Sequence, residues 1–494
     1  VEFPVKIVEH CVSAIGLRMI LTDTKEHMED IAAVTTTIVT LENEIPSAEI
    51  GKEALEENSE TMLINTSGTT GMPKTVILTW RGIMNCINAT QKLFSITSKD
   101  VAFGVTNYGH DMSIFDILGM VYIGGTTVIP NQHNYKNPEI WIDLMNKYKV
   151  TVWISVPALL EMLLYSDLEK LPEVVGKLHR VIQGGDYLHI DIVKKFRKWN
   201  QKGKIFNVGG PTETTMWNIY HEVSGEDIQN NNIPYGKPFP NTQYYILDKK
   251  QELCPVGKEG QMYIAGDGVT PGYVGTGEQG KFTEYKGLRV YCSGDYGVYM
   301  RTGEILFRGR KDRQIKINGK RIELDGIEEK LNSIKGITKG AVICKDKRIV
   351  AYYVAEDKTE VNNIKKILSG ILPEYMIPTA FYEIKRLPYN RNKKVDYREL
   401  ERMVPKTGEQ EKAETELEDF VARICENIFE VEKIGVKESF YNLGGDSVTA
   451  MRIAAIIKKE FNVHMTPYDI FEHSTIRELA SYIAKLRSDI NEKV

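Results

Sequence analysis

Between Arg18 and Gly210 the chain alternates short apolar runs with amphipathic stretches, and this rhythm limits the folds open to it. The runs are RMILT (18–22), TMLIN (61–65), VAFGVT (101–106), TTVIP (126–130), VTVWISV (150–156), RVIQGG (180–185) and KIFNVGG (204–210). Between them lie helical segments such as Trp141 to Tyr148 and Ile190 to Trp199. Runs apolar on both faces and joined through helices predict a largely parallel sheet covered on both sides. Ligands on such sheets sit beyond the carboxyl ends of the strands. Several of those ends are small, with Gly184 and Gly185 closing one run and Gly209 and Gly210 another. Together they can build one cleft.

The rhythm changes near Tyr235. Up to Arg308 glycine and proline become frequent, and short alternating runs such as TQYYIL and QMYIAG predict antiparallel strands in a small barrel-like region. GRKDRQIKINGKRIEL (309–324) is charged enough to read as a solvated connector, with a boundary at Asp312. From there to Val404 a mixed α+β segment carries a hairpin, AVICK (341–345) against RIVAYYV (348–354), and is short enough to be a mobile lid. PKTGEQEKAE (405–414) is a polar linker. Beyond it Leu417, Phe420, Val421, Ile424, Cys425, Ile428 and Phe429 recur at helical spacing. Further helices are expected from Asp446-Ser447 past Ile457 and from Ile476 to Leu486, which makes a small all-α bundle. The expected organisation is a multidomain chain: a large α/β part (1–311), a small α+β part (312–404), the linker (405–414) and a four-helix bundle (415–494).

A length of 494 residues suits several domains, and a net charge of −4 supplies no bulk basic field for nucleic acid. The six cysteines are scattered without a CxxC pair, which fits a reducing cytoplasmic setting and neither a zinc site nor a disulfide framework. No apolar run approaches the roughly 20 residues that span a bilayer, so no membrane partner is expected.

The stretch NTSGTTGMPKTV (65–76) lies between two strand-like runs. Its backbone N–H groups, hydroxyls and single cation are the equipment for cradling a polyphosphate. It is not a Walker-type loop, because Pro73 separates Gly71 from Lys74.

TSGTTGMPK, GGPTETT (209–215) and GRKDRQIKINGKRIEL, together with YCSGD (291–295), GQMYIAGDGVTPGY (260–273) and NKKVD (392–396), resemble the adenylate-forming superfamily. LGGDS (443–447) looks like the phosphopantetheine attachment motif of a carrier protein. An adenylation region followed by a carrier is the layout of a nonribosomal peptide synthetase module. The resemblance covers nearly the whole chain and implies that the N-terminal part of the adenylation domain is missing upstream of Val1.

The resemblance implies ATP-dependent activation of an amino acid as aminoacyl-AMP, then transfer to the thiol of a 4'-phosphopantetheine on Ser447. ATP, Mg²⁺ and phosphopantetheine are the expected cofactors. A phosphopantetheinyl transferase and neighbouring condensation or cyclisation domains are the expected partners, and an antibiotic or siderophore the kind of product. Thr66, Ser67, Gly68, Thr69, Thr70, Gly71 and Lys74 would hold the ATP phosphates. Gly184, Gly185, Asp186, Gly209, Gly210, Pro211 and Thr212 would frame the nucleotide. Glu213 would bind Mg²⁺, since a carboxylate beside a triphosphate needs a cation between them. Asp295 would accept the ribose hydroxyls, with Arg310 adding a further bond. Lys394 would bridge the substrate carboxylate and ATP, stabilising charge on the α-phosphoryl group. Asp312 would be the hinge on which the small part rotates, bringing the loop around Lys316 to Gly319 to the cleft for the second step.

By the same motif alignment Asp111 would pair with the substrate α-amino group. Met112, Phe115, Ile154, Ile182, Gly184, Val208, Met216 and Trp217, with Lys394, would line the amino-acid site. None of the side-chain pocket residues is charged, so a small, neutral, mainly apolar side chain is expected, with Trp217 limiting the depth. The sequence departs from the family pattern at Lys393 and Thr75, where glycine is usual, and at His110, where an aromatic ring is common. Two rivals share parts of this pattern. An acyl- or aryl-CoA ligase would use the loop, Glu213 and Lys394 but has no need of Asp111 or Ser447. A non-catalytic carrier scaffold would have an adenylation part that is inactive or completed in trans.

Overall fold

The computed structural model describes residues 20–22, 38–40, 56–66, 74–131, 135, 137–166, 168–275, 281–310, 312–317, 319–345, 348–355, 361–390, 394–403, 413–429, 433–437, 440, 447–461, 463, 465 and 467–491. The chain divides into two compact units. One comprises Val1–Leu160, Pro172–Glu323 and Ile371–Glu374; the other comprises Glu161–Leu171, Leu324–Gly370 and Tyr375–Val494.

The first unit is built on a seven-stranded sheet. Five neighbours run parallel: Lys204–Gly209, Arg180–Gln183, Val152–Ser155, Val101–Gly104 and Thr126–Val128. Ile219–Glu222 and Lys237–Pro238 extend the other edge antiparallel. Val152–Ser155 is buried along its whole length, as its two-sided apolar pattern predicts. The helices Pro138–Tyr148 and Ile190–Trp199 fall where the sequence places them. In the first, Asn137 caps the N-terminus by accepting from the amides of Glu139 and Ile140.

The run at 61–65 departs from the expected parallel sheet. Glu60–Thr66 and Lys74–Thr79 form an antiparallel pair, joined by Gly272–Tyr273 in a separate three-stranded sheet. Thr66 pairs with Lys74, so the two strands close the base of the intervening loop. That loop's residues, Ser67 to Gly71 included, lie outside the described residues. A short connection returning in register can only be a hairpin, whereas a parallel partner needs a crossover.

The barrel-like region is realised as a five-stranded antiparallel sheet that includes Thr242–Leu247, Gly260–Gly266, Leu288–Tyr299 and Ile305–Arg310. The charged segment after it is not the solvated connector its composition suggests. Gln314–Ile317 and Lys320–Glu323 pair as a hairpin that belongs to the first unit. Gln314, Ile322 and Glu323 are buried there, because the polar side chains bond one another, as Gln314 does with Glu323.

In the second unit Ile337–Lys345 and Arg348–Ala355 form the expected hairpin, with Ala380–Glu383 added in parallel. Four further helices follow: Glu416–Phe429, Ser447–Phe461, Pro467–Glu472 and Ile476–Asn491. Val421, Cys425, Ile453, Ile457, Leu479 and Ile483 interlock as their core. Among the described residues no helix is long and apolar enough to cross a membrane.

Candidate active site

The carboxyl ends of the parallel strands converge. Gly104 pairs with Ile154, Ile154 with Ile182 and Ile182 with Phe206, so the turns after Gln183 and Gly209 open on one side of the sheet. Gly185 has φ +79°, and an added Cβ would lie 3.1 Å from Val156 and 3.3 Å from His110. Gly210 has φ +155°, and its Cβ would meet the Met216 carbonyl at 3.0 Å. Neither turn tolerates a side chain without rearrangement.

Glu213 is 1% exposed on a short turn, Thr212–Thr214. Its Oε1 accepts from the Tyr273 hydroxyl at 2.7 Å and from Arg321 at 2.8 Å. Its Oε2 is buried without a hydrogen-bond partner among the described residues. Burial alone would raise its pKa. The Arg321 charge and the Tyr273 hydroxyl outweigh that and hold it at about 2. The Lys74 ammonium lies 5.6 Å from the Tyr273 ring centre, so the strand Lys74–Thr79 begins beside the tyrosine that bonds this carboxylate. Neither Arg321 nor Tyr273 was singled out in the sequence, because both lie far from Glu213 along the chain.

Asp295 lies within the strand Leu288–Tyr299, paired with Arg310 and followed by a register shift before Gly297. Arg310 donates to Asp295 at 2.7 Å and to the Ser293 carbonyl at 2.9 Å. It also grips both oxygens of Asp312, at 2.7 and 2.6 Å. The expected ribose ligand, its arginine and the expected hinge thus form one ladder. Asp186 is half-buried, and its Oδ1 caps the Tyr187 amide.

Asp111 is 4% exposed. Burial would raise its pKa, but His110, Thr212 and the Lys316 charge together hold it below the ordinary carboxylate range. His110 spans two elements, with Nδ1 3.0 Å from Asp111 Oδ1 and Nε2 3.1 Å from the Gly319 carbonyl. A carbonyl only accepts, so Nε2 carries a proton. Gly319, at the tip of the hairpin, has φ +79° and packs on Val156. Gly319 and Lys316 therefore lie at the cleft. Met112, Phe115, Ile154, Ile182, Val208, Met216 and Trp217 share one buried cluster, and a Cβ on Gly184 would meet Val208 at 2.8 Å and Met112 at 3.5 Å. The uncharged pocket that the motif alignment implies is one continuous apolar group.

Lys394 belongs to the other unit, is exposed, and is anchored through its backbone to Asn390. Lys393 lies outside the described residues, as do Gly444 to Asp446. Ser447 begins the helix Ser447–Phe461.

A buried acid beside the strand ends of a parallel sheet, in a chain that closes with four helices, sets the class of site the comparisons address. The family of AMP-binding enzymes matches residues 2–274, and the chain belongs to it. The phosphopantetheine attachment site family matches residues 416–483. Bacitracin synthase 1 of Bacillus licheniformis is 33% identical over 436 residues, covering 85% of this chain and 8% of that protein. Polyketide synthase PksN of Bacillus subtilis (strain 168) is 35% identical over 445 residues, covering 86% and 8%. The chain thus spans under a tenth of these relatives' length. Holo-PA1221, a nonribosomal peptide synthetase protein containing adenylation and carrier domains bound to a vinylsulfonamide inhibitor, superposes with a TM-score of 0.82 at 22% identity. That match covers 97% of this chain and 81% of the other, and it establishes the didomain fold.

Proposed function

We propose that the chain activates a small, neutral α-amino acid with ATP and loads it onto its own carrier segment within nonribosomal peptide synthesis. Asp111 carries this reading. A buried, ionised carboxylate at the edge of an uncharged pocket attracts a cationic group in addition to the His110 ring and the Lys316 charge. The α-ammonium group of an amino acid supplies one; a fatty or aryl acid does not.

In the first half-reaction the substrate carboxylate oxygen attacks the α-phosphorus of ATP, the bond to the β-phosphate oxygen breaks, and pyrophosphate leaves. Asp111 orients the ammonium group, and Lys394 stabilises charge on the α-phosphoryl oxygens. Lys74 and the loop from Thr66 hold the departing phosphates. Asp295 and Arg310 hold the ribose. The buried, open Oε2 of Glu213 fits a cation, and Mg²⁺ held there would neutralise phosphate charge. The N-terminus of the helix Ser447–Phe461 suits a phosphodiester. Phosphopantetheine attached to Ser447 would supply the thiol that displaces AMP from the acyl carbon.

Arg321, 2.8 Å from Glu213, would balance the negative charge of that carboxylate whenever no cation is held beside it. The position of the hairpin tip at His110 supports a second arrangement of the cleft, reached by rotation at Asp312 (residues 312–404 moving on 1–311, with 405–414 as linker to 415–494). Asp312→Pro should spare pyrophosphate exchange and stop thioester formation; equal loss of both contradicts the hinge. A phosphopantetheinyl transferase and adjoining condensation or cyclisation domains are the partners this chemistry requires, in the cytoplasm.

The test is ATP–pyrophosphate exchange with a panel of amino acids, followed by mass measurement of Ser447 after phosphopantetheinylation. Exchange with a small neutral amino acid and the matching mass increase at Ser447 support the reading. Exchange only with fatty or aryl acids, or with nothing, rejects it.

A further inference from the structure

The turn that supplies Met216 and Trp217 to the pocket is strained. Thr215 has φ +66° and Met216 φ +52°, a region that a β-branched residue rarely adopts. Such a backbone persists only when its surroundings fix it. Part of that fixing is local: Asn218 donates to the Thr214 carbonyl and hydroxyl, and Tyr244 donates to Asn218. Thr215 Oγ1 donates to the Gly268 carbonyl at 2.8 Å.

The rest comes from one stripe of the helix Trp80–Phe94, whose N-cap is Thr79. Gly82, Cys86 and Thr90 are four residues apart and share a face. A Cβ on Gly82 would stand 2.7 Å from Thr215 Oγ1. Cys86 Sγ donates to the Trp217 carbonyl at 3.1 Å. Thr90 Oγ1 accepts from the Trp217 indole Nε1 at 2.8 Å. All three positions are buried. The Trp217 ring packs 5.7 Å, centre to centre, from Phe115, another pocket residue. The indole of a buried Trp needs an acceptor, and Thr90 gives it one on a single side. The ring's direction is therefore set from the helix.

We propose that Gly82, Cys86 and Thr90 are positioning residues that set substrate side-chain specificity: the stripe holds the Thr215–Trp217 turn, and Thr90 aims the Trp217 ring so that it closes the pocket to all but small, uncharged side chains. The proposal rests on the reading of this pocket as an α-amino-acid site. The helix follows directly from the strand Lys74–Thr79, so the element leaving the phosphate loop also shapes the substrate pocket.

Thr90→Val keeps the shape of the side chain and removes the acceptor. The ratio of kcat/KM in pyrophosphate exchange between a larger apolar amino acid and the preferred small one should rise about tenfold, the scale of discrimination an apolar pocket provides. The KM for ATP should not move. Thr90→Ser, which keeps the oxygen, should restore the original ratio. In a Trp217→Phe background, which has no indole donor, Thr90→Val should change nothing further. Cys86→Ala is the companion variant should Thr90→Val fail to fold; it is expected to shift the ratio in the same direction and by less. An unchanged ratio in the folded variants, or an equal loss for every amino acid, would overturn the specificity role while leaving the amino-acid reading intact. No exchange by the unmodified protein with any amino acid would overturn both.

Discussion

Glu213 and Asp116 sit on two turns of the same unit and are 1% and 2% exposed. Their surroundings treat them oppositely. Glu213 meets Arg321 and Tyr273, and its pKa falls to about 2. Asp116 lies on the π-helical turn Phe115–Gly119, and neither of its carboxyl oxygens has a hydrogen-bond partner among the described residues. Burial alone pushes its pKa well above the ordinary value. Thr127, close enough to help, donates instead to the Asp116 backbone carbonyl. Burial sets a cost, and partners decide whether the charge survives it. Groups from distant strands keep Glu213 ionised, whereas Asp116, without such partners, is pushed toward its neutral form.

The comparison breaks first at Arg321. Arg321→Met leaves Glu213 buried without its cation, and chemical denaturation should show a loss of about 3–5 kcal/mol. A loss near zero would mean that Glu213 does not depend on the pair. Glu213→Gln keeps the shape and removes the charge. Pyrophosphate exchange should fall about 10²- to 10³-fold, as when a preorganised charge-stabilising group is lost, with the fold retained.

The two acids should also give opposite pH slopes in metal-free buffer. Glu213 is depressed from an unfolded value of about 4.3, so it contributes about 3 kcal/mol that is present above that pH and lost as pH falls toward 2. Asp116 is raised, so its contribution is full below about pH 3.9 and is lost as pH rises through its folded value. Asp116→Asn should therefore match the parent at low pH and gain on it as pH rises. Urea midpoints across pH 3 to 8 would show it; parallel curves for the two proteins would contradict it.

Much of this was legible in the residues. The strand–helix alternation foretold the parallel sheet, and the helical spacing around Val421 and Cys425 foretold the helix Glu416–Phe429. The motifs singled out Asp111, Glu213 and the apolar residues that the structure buries, because these residues come from short contiguous stretches. The partners of Glu213 were not legible: Arg321 stands 108 positions away and Tyr273 60. The charges of GRKDRQIKINGKRIEL read as solvated because composition cannot tell a charge facing water from one facing its counter-charge. Thr90 and Cys86 were hidden for a related reason. They belong to an ordinary amphipathic helix, and only the turn packed against it gives them a role.

The central claim is that Asp111 reads a substrate ammonium group. The most direct measurement compares pyrophosphate exchange supported by the preferred amino acid with exchange supported by the same acid lacking its α-amino group, in the parent and in Asp111→Asn. The parent should favour the amino acid by about 10- to 100-fold, the worth of a hydrogen bond between charged groups, and Asp111→Asn should erase most of that preference. Equal exchange with the two acids in the parent, or a preference that survives in Asp111→Asn, would contradict it.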